Sequence, residues 1–227
     1  MCFSQVIYTS FIRTSFETFI TTPSNRQART AAEKVCRFPG GVSRNPLVLY
    51  GKYGTGKTHL LHAMATSFLE KGLSVICVSA HQLVKDLVES IRSGDEKPFE
   101  ETYQKADVVL IDDLHELAHK DTTQEFVWHL VENLIFKEKQ VVIALNDSYC
   151  ENSTLRPSLR EVLSRGLCVE LNTPDLESRT LLVEQALINQ GICWPKEACR
   201  YVALKCGASI SQIAGEINAI LACKSLL

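Results

Sequence analysis

Apolar residues along the chain fall into two kinds of stretch. Some are short unbroken runs, and others return every third or fourth position through polar surroundings. Asn45-Pro46-Leu47-Val48-Leu49-Tyr50 is short, apolar and closed by glycine, and predicts a buried strand. Leu73 to Val78, Val108-Val109-Leu110-Ile111 and Val141-Val142-Ile143-Ala144-Leu145 predict three more. Between them lie helical periodicities. Leu60, Met64 and Phe68 recur at four-residue steps beside Leu61, Ala65 and Leu69, and Gly72 ends that helix. Ser79 is placed to cap a helix whose apolar face is Leu83, Leu87, Val88 and Ile91, ending at Gly94. Residues 24–36 read as a helix capped by Ser24 or Asn25, and Gln124 to Ile135 as another.

Buried strands alternating with amphipathic helices predict βαβ units, hence a parallel sheet covered on both faces. From Thr173 the pattern is helical only. Thr173 is placed as a cap, with Pro174 at the first helical position and Gly191 closing the helix. Helices near 195–206 and 209–226 complete the tail. Two units result, a core over residues 1–172 and a helical lid over 173–227.

Composition changes little of this. Of 227 residues, 45% are apolar and 22% charged, an ordinary globular balance that excludes wholesale disorder. The net charge of −2 provides no strong footprint for duplex DNA, and nothing after Ser209 reads as a spare groove-entering helix. Sequence-specific duplex binding is therefore not expected. The 9 cysteines contain no C-x-x-C pair and read as reduced thiols packed as small hydrophobes. No run is long enough for a membrane span, and the first 20 residues lack a signal-peptide pattern, so a cytoplasmic protein without membrane contact is expected.

The chemistry lies at the ends of the strands. Gly51-Lys52-Tyr53-Gly54-Thr55-Gly56-Lys57-Thr58 matches G-x-x-x-x-G-K-[ST], between a predicted strand and a predicted helix. Gly51, Gly54 and Gly56 let the backbone curl until its N–H groups face phosphate oxygens, and the following helix adds its positive end. Lys57 is placed to reach the outer phosphates and Thr58 to ligate magnesium. Tyr53, Thr55 and His59 complete the candidate nucleotide-binding stretch. Asp112 and Asp113 end the strand Val108–Ile111; Asp112 is a candidate magnesium ligand, and Asp113 a candidate for orienting or deprotonating a water. Asn146, after the next strand, is placed to polarise that water. The implied cofactors are ATP or ADP with Mg2+.

With these motifs on the page, the chain resembles the AAA+ module of the bacterial replication initiator DnaA and its shorter relative Hda. The resemblance runs from Phe16 to the C-terminus and rests on FETFITTPSNRQA, NPLVLYGKYGTGKTHLLHAM, VSAHQLVKDLVESIR, ADVVLIDDLHELAHKDTTQEF, KQVVIALND and NTPDLESR. It implies an α/β P-loop AAA+ three-layer sandwich with a parallel five-stranded sheet, a small three-helix lid, and nucleotide held between them. It places Asn25 against the adenine, and Asn146 at a sensor position where initiators usually carry Asp.

Three departures stand out. Where the family has L-x-x-R-L-x-S-R-F, with basic residues reaching a neighbouring subunit's ATP, this chain has Leu155-Arg156-Pro157-Ser158-Leu159-Arg160-Glu161-Val162-Leu163. Both arginine positions are lost, to Ser158 and Val162; Arg156, Arg160 and Arg165 are nearby candidates to substitute. The lid arginine position holds Ser211. The duplex-reading and helicase-interaction domains of initiators have no counterpart, and Gln5-Val6-Ile7-Tyr8 is a poor match to the clamp-docking peptide of the Hda type.

The leading expectation is a nucleotide-binding protein of bacterial replication control, with weak or partner-dependent ATP hydrolysis. Its partner would be a full-length initiator or a second copy of itself. The alternatives are a non-hydrolysing nucleotide-bound interaction module and a helicase-loader-like ATPase. The sliding clamp, the replicative helicase and single-stranded DNA are further candidate partners, the last through His62, Lys85, Arg92 and Lys120.

Overall fold

A computed structural model describes residues 14–93, 97–146, 154–207 and 209–225. Five strands, β1 (Leu47–Tyr50), β2 (Val75–Ser79), β3 (Val108–Asp112), β4 (Gln140–Leu145) and β5 (Leu167–Glu170), form one sheet in the order β2-β3-β4-β1-β5. Every pairing is parallel. The strand ends that carry Tyr50, Asp112 and Leu145 therefore lie along one edge.

Side-chain alternation divides the strands between two cores. Leu47, Leu49, Leu110, Val142 and Ala144 point to the layer of α1 (Arg26–Arg37) and α2 (Lys57–Glu70), against Ala28, Ala32, Val35, Leu60, Leu61, Met64 and Phe68. Val48, Val109, Ile111, Val141 and Ile143 point to the opposite layer. That layer contains α3 (Ala80–Ser93), α4 (Lys97–Lys105), α5 (Asp121–Phe136) and α6 (Pro157–Ser164). Burying each such Leu or Val contributes about 1.5–3 kcal/mol relative to exposure, so the two cores dominate the fold's stability. A third core belongs to α7 (Leu176–Ile188), α8 (Lys196–Lys205) and α9 (Ile210–Ser225), built from Leu182, Val183, Leu187, Cys199, Ala203, Ile213 and Ile217. The three-layer α/β sandwich with its three-helix appendage is the expected AAA+ architecture.

Several local readings change. The strand expected over Leu73–Val78 starts at Val75. α4 has no counterpart in the pattern. Its sequence KPFEETYQK is polar, and its anchor is Tyr103, buried with its hydroxyl donating to Asp86 at 2.9 Å. β5 pairs at the sheet edge and is only half-buried, so it leaves no strong apolar run. The cap of α7 is Asp175, whose carboxylate accepts from the Ser178 N–H at 2.7 Å, rather than Thr173. Ser79 does cap α3, accepting from the Gln82 N–H at 3.2 Å. Cys36 and Cys77 are buried, and burial pushes both thiols up to about 12, as expected of cysteines packed as hydrophobes.

Candidate nucleotide site

The glycine-rich loop leaves the end of β1 and turns into α2. Gly51, at φ +151°, lies so close to the chain after β5 that a Cβ would stand 2.2 Å from the Leu171 carbonyl oxygen. Gly54, at φ +75°, is approached from the appendage: a Cβ there would meet the Ser209 hydroxyl at 2.0 Å. The Ile210 N–H, at the start of α9, donates to the Gly54 carbonyl at 2.8 Å. The loop is thus clasped between the sheet edge and the first turn of α9. Thr55 ties it internally, its hydroxyl donating to the Lys52 carbonyl at 2.9 Å.

Lys57 is 5% exposed, and its ammonium donates to the carbonyls of Gly51 at 2.6 Å and Lys52 at 3.0 Å. Those bonds hold a buried cation over the loop, where the first-turn N–H groups of α2 also converge. Thr58, exposed in the first turn of α2, is near enough to Asp112 to lower its pKa. Asp112 is 8% exposed, and burial raises its pKa, against the lowering by Thr58 and with a further rise from Asp113. A hydroxyl and a carboxylate are hard oxygen donors of the sort magnesium takes, with phosphate and water filling its other positions, so the residues fit that metal.

His59 is half-buried, and its ring stands edge-on to Phe19 at 5.4 Å. Burial, reinforced by His62, lowers its pKa, and its Nε2 makes no hydrogen bond. Tyr53 projects from the loop at 79% exposure. Asn25 is buried at the start of α1 but does not cap it. Its amide oxygen accepts from the Thr22 N–H at 2.8 Å, and its amide nitrogen donates to the Ile20 carbonyl at 3.0 Å. The side chain therefore shapes the 20–25 segment, and any contact to a base would come from the segment it shapes.

Asp113 adopts a left-handed backbone, φ +54°, and its N–H donates to Asp112 Oδ1 at 2.9 Å. The turn leads into a short 3-10 helix, Leu114–Leu117, and brings His115 to Asn146 at the end of β4. Sequence reasoning assigned His115 no role. Its signal is faint, a histidine two residues past the second acid. Phe19, Ser209 and Ile210, which cover the loop, were likewise not anticipated.

The basic residues near α6 are mostly engaged elsewhere. Arg156 pairs with Glu125 at 3.2 Å, and Arg165 with Glu132 at 3.0 Å and Glu161 at 2.7 Å. Arg160 differs, its buried Nε making no hydrogen bond. Val162 is 1% exposed and packs in the core, Ser158 is half-buried, and Ser211 is exposed. Lys85, Arg92 and Lys120 lie in solvent. His62 is half-buried, and burial lowers its pKa against the pull of Asp112. Gln5 to Tyr8 lie outside the described residues.

A glycine-cradled lysine, a threonine, an aspartate and a second acid on the edge of this sheet, beneath a three-helix appendage, define a P-loop AAA+ nucleotide-binding domain. The bacterial DnaA ATPase-domain family matches over residues 12–170, and the chain belongs to it. The chromosomal replication initiator protein DnaA of Nautilia profundicola is 36% identical over 213 residues, covering 94% of this chain and 48% of that protein. The chain thus spans about half the length of the curated relatives it matches. Domain III of the Thermotoga maritima replication initiation protein DnaA superposes with a TM-score of 0.88 at 30% identity, covering 95% of this chain and 90% of that one. A replication initiator DnaA bound to AMPPCP and single-stranded DNA gives 0.86 at 28%, covering 92% and 65%.

Proposed function

We propose that this chain binds ATP or ADP with magnesium between the loop and the helical appendage. The nucleotide state would set its contact with initiator-type subunits, or with its own copies, in the control of bacterial chromosome replication. The observation that carries the reading is the buried Lys57 ammonium held over the glycine loop, with the buried Asp112 carboxylate at the same edge of the sheet. Residues 1–172 act as the nucleotide core and 173–227 as its lid. Gly51, Gly54, Gly56 and the first turn of α2 present N–H groups to phosphate, and Lys57 adds charge. Thr58 and Asp112 would hold the magnesium, whose contribution is to neutralise phosphate charge. Asp113 takes a proton from the attacking water, and Asn146 orients that water. The initiator complex with AMPPCP supports nucleotide binding, and its DNA makes single-stranded DNA a candidate ligand of this cytoplasmic protein.

Hydrolysis is expected to be slow. The positions that the resemblance assigns to arginines contacting the γ-phosphate hold Ser158, Val162 and Ser211, none of which carries charge. Losing contacts made only in the transition state lowers the rate and spares affinity. The experiment is nucleotide titration, turnover and sedimentation of the protein alone and with a full-length initiator. Tight ATP–magnesium binding, stand-alone turnover well below about 1 per second, and no long ATP-driven self-assembly are expected. Turnover in the ordinary enzyme range would overturn the slow-hydrolysis reading and point to Arg160. Absence of nucleotide binding would overturn the whole.

A further inference from the structure

The 3-10 helix after the paired acids carries a side chain that the nucleotide reading leaves unused. His115 is 27% exposed, with Nδ1 3.8 Å from Asp113 Oδ1. Its Nε2 lies 2.7 Å from the amide nitrogen of Asn146. Both His115 Nδ1 and Asn146 Oδ1 are buried and make no hydrogen bond.

An amide nitrogen only donates, so the short contact makes Nε2 the acceptor and leaves the proton of a neutral ring on Nδ1. The carboxylate facing Nδ1 favours the same tautomer, since a negative charge stabilises an N–H directed at it and repels a lone pair. Two neighbours from different elements thus agree on one ring state. Backbone geometry makes the meeting unavoidable. β3 and β4 are adjacent, the left-handed Asp113 turns the chain sharply, and the Glu116 N–H donates to the Asp113 carbonyl at 2.9 Å to close the turn.

We propose that His115 is a positioning residue that sets the orientation of the Asn146 amide. By accepting from Nδ2, it leaves Oδ1, buried and without a partner, as the end that would accept a hydrogen bond from a water once bound nucleotide admits one. A flipped amide would present only N–H groups, and a water held by those would turn its lone pairs toward Asn146 instead of toward phosphorus. This rests on the hydrolytic reading of the site. There, the water oxygen bonds to the γ-phosphorus while the bond from that phosphorus to the bridging oxygen breaks. The electron pair leaves on ADP, and the water proton passes to Asp113 and on to solvent.

The test has two arms on the full chain. Long-range proton–nitrogen spectra of 15N-histidine-labelled protein, with His115 assigned by its loss in His115→Gln, should show Nδ1–H. In Asn146→Ala the ring should shift toward Nε2–H. An Nε2–H ring in the unaltered protein overturns the proposal. In single-turnover hydrolysis, His115→Ala should lower the rate by about tenfold to a hundredfold. Nucleotide Kd should stay within about twofold. His115→Gln, whose Oε1 can accept in place of Nε2, should recover most of the rate. An unchanged rate in His115→Ala, or no recovery with Gln at an intact melting temperature, overturns it. If the unaltered protein shows no hydrolysis, the hydrolytic reading fails, and the tautomer spectra alone decide His115.

Discussion

The phosphate loop with its paired acids and the segments formed by α6 and the start of α9 are built on different terms. In the loop, each residue type that phosphate chemistry asks for is present, and Lys57, Thr55 and Asp112 are buried. On the α6 and α9 segments, the positions matched to arginines hold Ser158, Val162 and Ser211. Val162 has become part of the core, packed with Leu159 and Leu163. Two of the three nearby arginines are held in ion pairs, Arg156 and Arg165. The contrast teaches that the residues suited to holding phosphate and the positions matched to arginines lie on separate elements, so that one set can be kept when the other is lost.

The sharpest way to break this comparison is to restore charge at the buried α6 position. Val162→Arg should destabilise the protein by about 3 kcal/mol or more, because it buries an unpaired cation. Chemical denaturation measures it. A stable variant with faster hydrolysis would mean that this position faces the nucleotide after all. Next in size, Lys57→Ala removes a charge-assisted contact to phosphate and should weaken nucleotide binding about tenfold to a hundredfold. Titration with a fluorescent ATP analogue reads it, and unchanged affinity would take away the intact half of the contrast.

Gly54→Ala probes where the two regions touch. A Cβ there would meet Ser209 Oγ at 2.0 Å and Cβ at 2.8 Å, on a backbone at φ +75°. A loss of about 1–2 kcal/mol in thermal unfolding is expected, with the start of α9 displaced from the loop. The smallest effect is a control far from the loop, ahead of β3. Asp107 accepts from the Lys139 ammonium at 2.8 Å and from the Ser74 hydroxyl and N–H, and these bonds lower its pKa from 3.8 to about 2. A depressed carboxyl stabilises the fold above its unfolded pKa, and that stability is lost as pH falls from about 4 through about 2. Asp107 is 41% exposed, so solvent screening limits the effect to about 1 kcal/mol. Asp107→Asn should remove this acid dependence and leave nucleotide affinity unchanged.

What the sequence by itself determined is what local chemistry can write. Four buried strands are short apolar runs rich in Val, Ile and Leu, α2 carries its apolar positions at helical spacing, and the loop residues Gly51 to Thr58 are contiguous. Asp112 and Asp113 were legible because they end such a run. The fifth strand was not, because β5 lies half-exposed at the sheet edge, where burial demands little of the sequence. Only the tertiary structure decided the rest. Asn25 reads as a cap, yet its amide is taken by the Thr22 and Ile20 backbone. Arg165 is held by Glu132, a residue of another helix, whereas the buried Nε of Arg160 makes no hydrogen bond. His115 meets Asn146 across 31 positions of chain, and Ser209 meets Gly54 across the gap between appendage and loop. Periodicity and contiguous motifs act within a few residues, whereas a hydrogen bond between sheet neighbours depends on which strands the fold sets side by side.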